Sequence, residues 1–471
     1  MKKIISIMLA VIMTLSLCAC AGGESSTGGK AATFQVGYAR ENITPSDPVP
    51  LGGYGQTDKR ISTGYLDYLY ATCIAITDAQ DNTVLLISQD LISSAQYKNV
   101  RDSINEATGI PQDQIMLCAT HTHSGPDQGQ SLPSITAWKP VYVQAVTKAA
   151  QAALADRSPA EISIGSTKTE GLNFVRHYLQ DSGTYVGDNF GSESAGTIID
   201  HAEPNDPVMQ VMKFTRAAED KKDIVMVNWQ AHPCMTGGVS ETNISADFIG
   251  TTRDYVEQAT NMDFVYFTGD AGNQNVKSRI AGETPTTDVK VFGQLLGDYV
   301  LDVLNNLTPV TSGDIKTKKV TFEGKVNHEM ENMIEQAREV QALYKATDRA
   351  TGNTLAREYG FSSVYHCNGV IARASLGATL SFGIHAISIG DAVSFVTAPY
   401  EMFAVHGTYI KENTPFDMTF VMTCANGGNG YLPSVLAFDY GCYESHTGKF
   451  ARGVGDEVAE TFIEMLKELK G

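Results

Sequence analysis

Hydrophobic residues occur along the chain in short uninterrupted runs, each of which ends abruptly at polar side chains. The runs are rich in β-branched and aromatic residues and do not alternate with polar ones, so they predict strands that are buried on both faces. The clearest runs are TVLLISQ before Asp90, QIMLCAT before His121, DIVMVNWQA before His232, DFVYFTG before Asp270, AVSFVTAPY before Glu401 and MTFVMTCANGGNG before Tyr431.

Stretches typical of helices lie between these runs, and helices are predicted over 141–155, 289–304, 330–346 and 457–469. Because strands alternate with helices, the pattern predicts an α/β fold in which β-sheets are covered by helices. Residues 310–326 indicate exposed antiparallel strands, so the sheets are expected to be mixed. The segment 170–205, rich in Gly, Ser, Asp and Asn, is predicted to be a long loop or lid over a site.

The first residues differ in composition from the rest. Lys2 and Lys3 precede an apolar stretch over 4–17 that is too short to span a bilayer and is typical of a secretory signal. The stretch ends in LCAC, which resembles the lipobox of bacterial lipoproteins and implies cleavage before Cys20 and a lipid on its sulfur. An ordinary signal with an incidental cysteine is the alternative.

This interpretation divides the chain into a signal peptide over 1–19, a Gly/Ser-rich flexible tether over 20–32 and one domain over 33–471. We therefore expect an extracytoplasmic protein that is held at the bacterial cell membrane by its lipid alone. A net charge of −18 argues against a nucleic-acid partner. The later cysteines are scattered and form no CxxC pair, so they predict neither a zinc ribbon nor a disulfide framework.

His121 and His123 are the strongest sign of chemistry. Two residues at this spacing share a face of an extended segment, so both imidazoles could point into one cleft after the strand IMLCA. Histidine pairs of this kind are a frequent part of zinc sites, and the alternative is a pair of polar residues hydrogen-bonded at a strand end. Taken singly, His232, Glu401 and Tyr431 have ordinary structural explanations.

Together the motifs resemble the neutral, or neutral/alkaline non-lysosomal, ceramidase family. The matching stretches are VGYARENITPSDPVPLGGYG (36–55), ATHTHSGP (119–126), NWQAHP, SADFIG (245–250) and GYLPSVLAFDYGCYE (430–444). The resemblance covers nearly all of the chain after the tether and implies the α/β fold of the ceramidase catalytic domain. No additional C-terminal β-domain is expected.

The resemblance implies one zinc ion per chain, bound by His121, His232, Glu401 and Tyr431. His123 would face the substrate and move protons, and Arg176 would lie near the scissile group. Tyr443 matches a substrate-facing tyrosine of the family. Asn273, beside Asp270 in GDAGNQN, is a further candidate for substrate contact.

The sequence departs from the family at Gly272, which falls where the family has a serine with a nucleophilic role. Attack by a metal-bound water would then be needed, with Asp270 and His123 as candidate proton acceptors. Asp127 and Gln128 also replace glycines that follow the histidine motif.

The leading hypothesis is a lipid-anchored zinc hydrolase that cleaves a linear amide bond of a small-molecule or lipid N-acyl substrate. Cleavage of an ester or another C–O bond is one alternative. The other is a solute-binding lipoprotein without catalysis, although a sugar or peptide binder would not need several metal-ligand residues at separate strand ends.

Overall fold

The computed structural model of the protein describes residues 34–54, 60–187, 196–238, 240–310, 313–428 and 430–471. These residues belong to one compact unit. The predicted signal peptide, the lipid-attachment residue Cys20 and the tether lie outside the described residues. Within the described ranges, no helix combines the length and the apolar character that crossing a membrane requires.

The apolar runs of the sequence form strands, together with shorter and more polar segments. In chain order the strands are β1 (Phe34–Asn42), β2 (Gly64–Tyr65), β3 (Tyr70–Thr77), β4 (Thr83–Gln89), β5 (Ile115–Ala119), β6 (Ser158–Lys168), β7 (Phe174–Val175), β8 (His177–Gln180), β9 (Tyr185–Gly187), β10 (Ile198–His201), β11 (Val208–Arg216), β12 (Ile224–Trp229), β13 (Asn243–Ile244), β14 (Asp263–Thr268), β15 (Gln274–Asn275), β16 (Thr308–Pro309), β17 (Ile315–Lys325), β18 (Thr379–Ile389), β19 (Val393–Thr397), β20 (Glu401–Met402), β21 (Met418–Met422) and β22 (Tyr431–Leu432). The predicted strands β4, β5, β12, β19 and β21 are buried along their whole length, so this prediction is confirmed.

Helices connect and cover these strands. They are α1 (Tyr97–Thr108), α2 (Pro133–Ala155), α3 (Asp247–Thr260), α4 (Val289–Leu304), α5 (Ile334–Ala346), α6 (Arg349–Glu358), α7 (Val364–Arg373), α8 (Ala404–Asn413), α9 (Val435–Tyr440), α10 (Tyr443–Thr447) and α11 (Val454–Lys470), with short 3-10 turns at Gln112–Gln114 and Glu331–Met333. The four predicted helices correspond to α2, α4, α5 and α11. Helix α2 begins earlier than predicted because Pro133 occupies its first turn, where a missing N–H is tolerated.

The larger of the two main sheets has the strand order β14-β12-β11-β6-β1-β3-β4-β5, with β16 beside β6. Its neighbouring strands are antiparallel, except that β12 pairs with β14 and β4 pairs with β5 in parallel. The smaller sheet has the order β17-β18-β19-β21, in which β19 and β21 are parallel. The predicted mixed character is confirmed, and the exposed antiparallel strand expected near 310–326 is β17.

The larger sheet curls until its two ends approach each other. The Thr268 hydroxyl at the end of β14 donates to the carbonyl oxygen of Thr120 just after β5, at 2.8 Å. Helices α1 to α4 cover the outer face of this sheet. The smaller sheet packs against the inner face, where Phe395 and Phe420 join Met226 in one core. Helices α8 and α11 cover the remaining face of the smaller sheet.

The prediction of a long loop over 170–205 is wrong for the described part of that segment. Strands β8, β9 and β10 form a small antiparallel sheet, and β7 pairs with β15. These strands are two to four residues long. They lack the apolar runs that identify buried strands, so the sequence pattern does not reveal them.

Gly37 marks a close approach between β1 and the end of α2. A Cβ atom at this position would lie 2.0 Å from the carbonyl oxygen of Ala153 and 2.8 Å from the backbone nitrogen of Arg157. We expect Gly37→Ala to lower the free energy of unfolding by about 1–3 kcal/mol, because the backbones must separate to admit the methyl group. Chemical denaturation would measure the change.

Gly377→Ala is the matched control for this substitution. A Cβ atom at Gly377 would meet its nearest neighbour at 3.8 Å, an ordinary van der Waals distance. The control is expected to stay within about 0.5 kcal/mol of the parent protein. Equal stability of the two variants would show that β1 and α2 are not packed as described.

Candidate metal centre

The two histidines of the ATHTHSGP motif lie close together after β5. His121 has a φ of 68°, in the left-handed region that non-glycine residues rarely occupy. Its backbone N–H donates to Leu91, and that of His123 donates to Pro233. The two ring centroids are 5.1 Å apart. Both imidazoles therefore reach one place as predicted, but a left-handed turn brings them there instead of a continued strand.

His232 and Glu401 complete a compact group with His121. His232 follows β12, and Glu401 begins β20, which lies just beyond β19 of the smaller sheet. One carboxylate oxygen of Glu401, Oε2, lies 3.2 Å from Nε2 of His121 and 3.2 Å from Nε2 of His232. The two imidazole centroids are 4.9 Å apart.

Backbone carbonyl groups fix the orientation of both rings. Nδ1 of His121 lies 2.7 Å from the carbonyl oxygen of Ile92, and Nδ1 of His232 lies 2.8 Å from that of Ala271. Because a carbonyl oxygen can only accept, each neutral ring carries its proton on Nδ1. Nε2 of His232 then presents a lone pair toward Glu401, as in histidines that bind metals, whereas Nε2 of His121 faces the same carboxylate and carries a proton that a metal would replace.

The group leaves buried polar atoms without hydrogen-bond partners. Within the described chain these include both ring nitrogens of His123, Nε2 of His232 and Oε2 of Glu401. The 3.2 Å approach between His232 and Glu401 brings two acceptors together and is not a hydrogen bond. Unpaired buried groups of this kind are destabilising, and a cation between them would satisfy them.

The donor set suits zinc. Ligand-type atoms of His121 and His232 lie within 4.8 Å of each other, and a ring nitrogen of His123, the predicted proton-transfer residue, lies within the same distance of both. Imidazole nitrogens with carboxylate oxygens are ordinary zinc ligands. The residues present therefore fit the zinc ion that the sequence resemblance implies.

The protonation states also suit a metal. Burial lowers the pKa of His232 to about 4, and burial and the neighbouring His121 hold the pKa of His123 well below its usual range. Burial disfavours an ionised Glu401, but the charge of the neighbouring His121, whose own pKa is held well above its usual range, outweighs burial and holds the pKa of this carboxyl well below its usual range. His232 is thus neutral and Glu401 ionised near neutral pH, the forms that bind metals, and a cation would replace the proton on Nε2 of His121.

Tyr431 is placed beside Glu401 by the backbone. Strands β20 and β22 pair in parallel with Glu401 opposite Tyr431, and the Glu401 N–H donates to Gly430 at 2.8 Å. The two predicted ligands from the end of the chain are therefore neighbours. The Tyr431 ring makes an edge contact with Tyr443, with centroids 5.9 Å apart.

Arg176 reaches the same place from the short segment between β7 and β8. Its Nη2 lies 3.4 Å from the phenol oxygen of Tyr431 and donates to the carbonyl oxygen of Gly272 at 3.1 Å. Its Nε donates to Glu444 at 2.7 Å. The structure thus brings Arg176 beside the candidate ligand Tyr431.

Asp270 and Asn273 are used within the fold. The Asp270 carboxylate is fully buried and lies 3.1 Å from Nζ of Lys411 on α8. Among the described residues, the hydrogen bonds of this carboxylate go to Lys411 and Gln274, not to the histidines. Asn273 accepts from the backbone N–H of Ala404 at 2.9 Å. Both side chains anchor α8, and their roles in catalysis and substrate contact stay predictions.

Sequence reasoning missed two side chains that support the site. Glu444 is 1% exposed and forms an ion pair with Arg176. Cys424 is not named as a site residue in the sequence analysis, but its Sγ lies 3.5 Å from Nδ1 of His121. Glu444 stands at the end of the matching stretch GYLPSVLAFDYGCYE, and this position is the one sequence signal that could have identified it.

Gly272 allows the loop after β14 to touch the Glu401 segment. Its N–H donates to the carbonyl oxygen of Met402 at 2.8 Å. A Cβ atom on Gly272 would lie 2.6 Å from the carbonyl oxygen of Glu401 and 2.7 Å from that of Met402. The glycine at the family's serine position is therefore required by the backbone contact.

Gly272→Ser tests this contact. The substitution restores the residue type of the family, yet we expect it to displace Glu401 and to destabilise the protein by about 1–3 kcal/mol, since both close neighbours are backbone atoms. Zinc affinity should fall with it. Denaturation and zinc titration against a chelator would measure both effects, with Gly377→Ser as the control at an open position. A stable variant with unchanged zinc affinity would contradict the packing described.

Comparisons with known proteins agree with this geometry. Residues 34–293 match the family model for neutral/alkaline non-lysosomal ceramidase, N-terminal. The neutral ceramidase of Pseudomonas aeruginosa has a crystal structure that is 15% identical and aligns with a TM-score of 0.69 over 94% of this chain and 75% of that chain. The structure of a ceramidase complexed with C2 is 14% identical to this chain. It aligns with a TM-score of 0.70 over 93% of this chain and 75% of that chain. At this identity the structural similarity establishes the fold, and it extends past residue 293. The predicted α/β fold and family resemblance are confirmed, and the chain belongs to the neutral/alkaline non-lysosomal ceramidase family.

Proposed function

We propose that the protein is a zinc-dependent hydrolase that cleaves a linear amide bond in an N-acyl substrate. The observation that carries this proposal is the placement of His121, His232 and Glu401. Two imidazoles with backbone-anchored Nδ1 atoms direct their Nε2 atoms at one carboxylate oxygen, at 3.2 Å each. Three atoms that can bind a metal converge there in a buried space, and two of them, Nε2 of His232 and Oε2 of Glu401, have no hydrogen-bond partner in the described chain, which favours a bound cation.

Zinc held by His121, His232, Glu401 and Tyr431 would polarise the scissile carbonyl group and acidify a water molecule. Of these residues, the first three converge directly in the structure. Tyr431 lies opposite Glu401 in the β20–β22 pair, and this neighbouring position supports the proposal that its phenol oxygen is the fourth ligand. The two backbone carbonyl contacts hold the histidine rings in place before any metal binds.

His123 is the candidate for proton transfer. Its imidazole is neutral because burial and the neighbouring His121 hold its pKa low, and neither ring nitrogen has a hydrogen-bond partner in the described chain. Gly53, with a φ of 103°, makes room for the ring: a Cβ atom there would lie 2.5 Å from Cγ of His123. A neutral imidazole in this position can accept a proton from water and pass it to the leaving amine.

Arg176 and the aromatic side chains would orient the substrate. The guanidinium beside Tyr431 can stabilise negative charge that develops on the carbonyl oxygen. Tyr443 contacts Tyr431 and also Tyr365, at a centroid distance of 5.5 Å. We propose that the aromatic faces of these neighbouring tyrosines contact the acyl chain.

The attacking group in this proposal is water. Gly272 has no hydroxyl, and its contact with the carbonyl oxygens of Glu401 and Met402 leaves no space for a serine side chain. Family membership and the similarity to a ceramidase complexed with C2 support an N-acyl lipid as the substrate class. An ester of the same acyl group is the competing substrate.

Substitutions of two histidines should distinguish metal binding from catalysis. We expect His232→Ala to lose tightly bound zinc and all hydrolysis of N-acylsphingosine presented in detergent micelles. His123→Gln should keep its zinc and lower kcat by about 10²–10⁴-fold, because a proton-transfer group is lost but a ligand is not. Zinc content by elemental analysis and sphingosine release by chromatography would check both.

His328→Ala is the control, since His328 is a partly exposed histidine paired with Glu331. It should match the parent protein in both measurements. Purified protein that binds no zinc would refute the metal centre. Zinc-loaded protein that cleaves neither N-acylsphingosine, nor smaller N-acyl amides, nor matched esters would refute the hydrolase, and cleavage of esters alone would replace amide by ester chemistry.

We also propose that a lipid on Cys20 holds the enzyme at the outer side of the membrane that contains its substrate. The support is the sequence LCAC and the Gly/Ser-rich segment that follows it. Cells fed a labelled fatty acid should incorporate label into the parent protein but not into Cys20→Ala. Equal labelling of Ser25→Ala is the control, and an unlabelled parent protein would refute lipid attachment.

A further inference from the structure

A chain of buried polar contacts lies behind Arg176, on the side away from Tyr431. Oε1 of Glu444 accepts from Nε of Arg176 at 2.7 Å, and Nη2 of Arg176 lies 2.5 Å from the same oxygen. The other carboxylate oxygen, Oε2, lies 3.0 Å from Nε2 of His177. Nδ1 of His177 lies 2.8 Å from the Tyr440 phenol oxygen, which donates to Glu203 at 2.8 Å.

The chain is shielded from solvent. Glu444 and His177 are each 1% exposed, and Glu203 is 8% exposed. The Tyr440 ring stacks on that of Tyr185 in β9, with ring centroids 4.8 Å apart. A contact network inside a low-dielectric region resists rearrangement more strongly than one at the surface, because breaking it leaves buried charges unpaired.

Two of these residues, His177 and Glu444, could also be interpreted as part of a second metal site with the neighbouring Cys442. Ligand atoms of His177, Cys442 and Glu444 lie within 4.8 Å of one another. However, the Glu444 carboxylate already contacts Arg176 through one oxygen and His177 through the other. A cation placed there would have to displace at least one of these contacts. The geometry therefore favours support of Arg176 over metal binding.

The support determines where the guanidinium points. An arginine side chain has several rotatable bonds, and a carboxylate that contacts both Nε and Nη2 fixes the plane of the guanidinium group. With Glu444 in place, Nη2 is directed to the Tyr431 phenol oxygen and the Gly272 carbonyl oxygen. Without it, the guanidinium could turn toward the ionised Glu401.

We propose that Glu444, backed by His177, is a positioning residue that holds Arg176 against Tyr431 and acts on the reaction only through Arg176. The proposal rests on the proposed function, because it deepens the role of Arg176 at that same site. It assigns no substrate or metal contact to Glu444. The contacts from His177 through Tyr440 to Glu203 hold the His177 ring in place, and His177 in turn holds the Glu444 carboxylate.

A double-substitution cycle in the full-length protein tests this assignment. Glu444→Gln preserves the shape of the side chain but removes its charge, and we expect it to lower kcat for N-acylsphingosine by about 10–100-fold while bound zinc is retained. In an Arg176→Lys background the same change should have little further effect, because the group it positions is already gone. If the two substitutions lower kcat by independent factors that multiply in the double variant, the proposal is overturned.

The matched control is Glu257→Gln, which removes the carboxylate of another two-point pair, with Arg40. It should leave kcat and KM unchanged. A loss of thermal stability in Glu444→Gln with an unchanged kcat would mean that Glu444 is only structural, and this also overturns the proposal.

A second readout needs no activity. Phenylglyoxal labels accessible arginines, and the Arg176 side chain is 11% exposed when paired with Glu444. We expect Glu444→Gln to raise the labelling rate of Arg176 at least about threefold, measured by peptide mass spectrometry, while Glu257→Gln does not. If no substrate is cleaved but Arg176 labelling rises, the proposed function fails and the support of Arg176 stands. Unchanged labelling refutes that support whether or not the protein is a hydrolase.

Discussion

The hydrogen bond from the Thr268 hydroxyl to the Thr120 carbonyl oxygen joins the two ends of the larger sheet, and the candidate metal centre depends on that closure. In strand order, β12 and β5 are separated by six spacings. At about 4.8 Å per spacing, a flat sheet would hold the two strand ends roughly 29 Å apart. The imidazole centroids of His121 and His232, which follow these strands, are 4.9 Å apart. The curl of the sheet thus converts distant strand ends into neighbouring ligands.

A second contact brings in the smaller sheet. Gly272 follows β14 of the larger sheet, and its N–H donates to Met402, next to Glu401. The carboxylate therefore reaches the histidines only because two backbones meet where one residue has no side chain. The centre combines segments from both sheets, so it cannot form until they are packed together. Metal binding would consequently stabilise the whole packed arrangement, and not one loop alone.

The sequence predicted the parts of this fold that depend on local pattern. Runs such as IVMVNW are long and apolar enough to identify buried strands, and the residues that follow them lie at the strand ends as expected. The short strands β8 to β10 are not predicted because none contains an apolar run long enough to identify a buried strand. The sequence pattern does not predict the curl of the sheet either, since the curl arises from packing between residues far apart in sequence.

Side-chain direction explains the uneven result at the site. His121, His123, His232 and Glu401 were named from motifs, and the structure brings them together. Asp270 and Asn273 come from an equally suggestive stretch, yet their side chains turn toward α8. One backbone turn decides whether a polar residue faces the cleft or the core, and spacing does not encode that turn. The importance of Glu444 was hidden for the same reason, since only the fold places it beside Arg176.

The charges around the centre show why Arg176 needs a partner of its own. A guanidinium paired with Glu401 would neutralise the carboxylate that a dication requires, and two charges about 4 Å apart interact by about 4 kcal/mol even at an effective dielectric constant of 20. Glu444 neutralises Arg176 instead, through both a hydrogen bond and an ion pair. Glu401 therefore retains its negative charge for a cation, while Arg176 stays close enough to Tyr431 to act on groups bound beside it. The two carboxylates thus have separate tasks: Glu401 keeps its charge for the candidate metal position, and Glu444 pairs with the arginine.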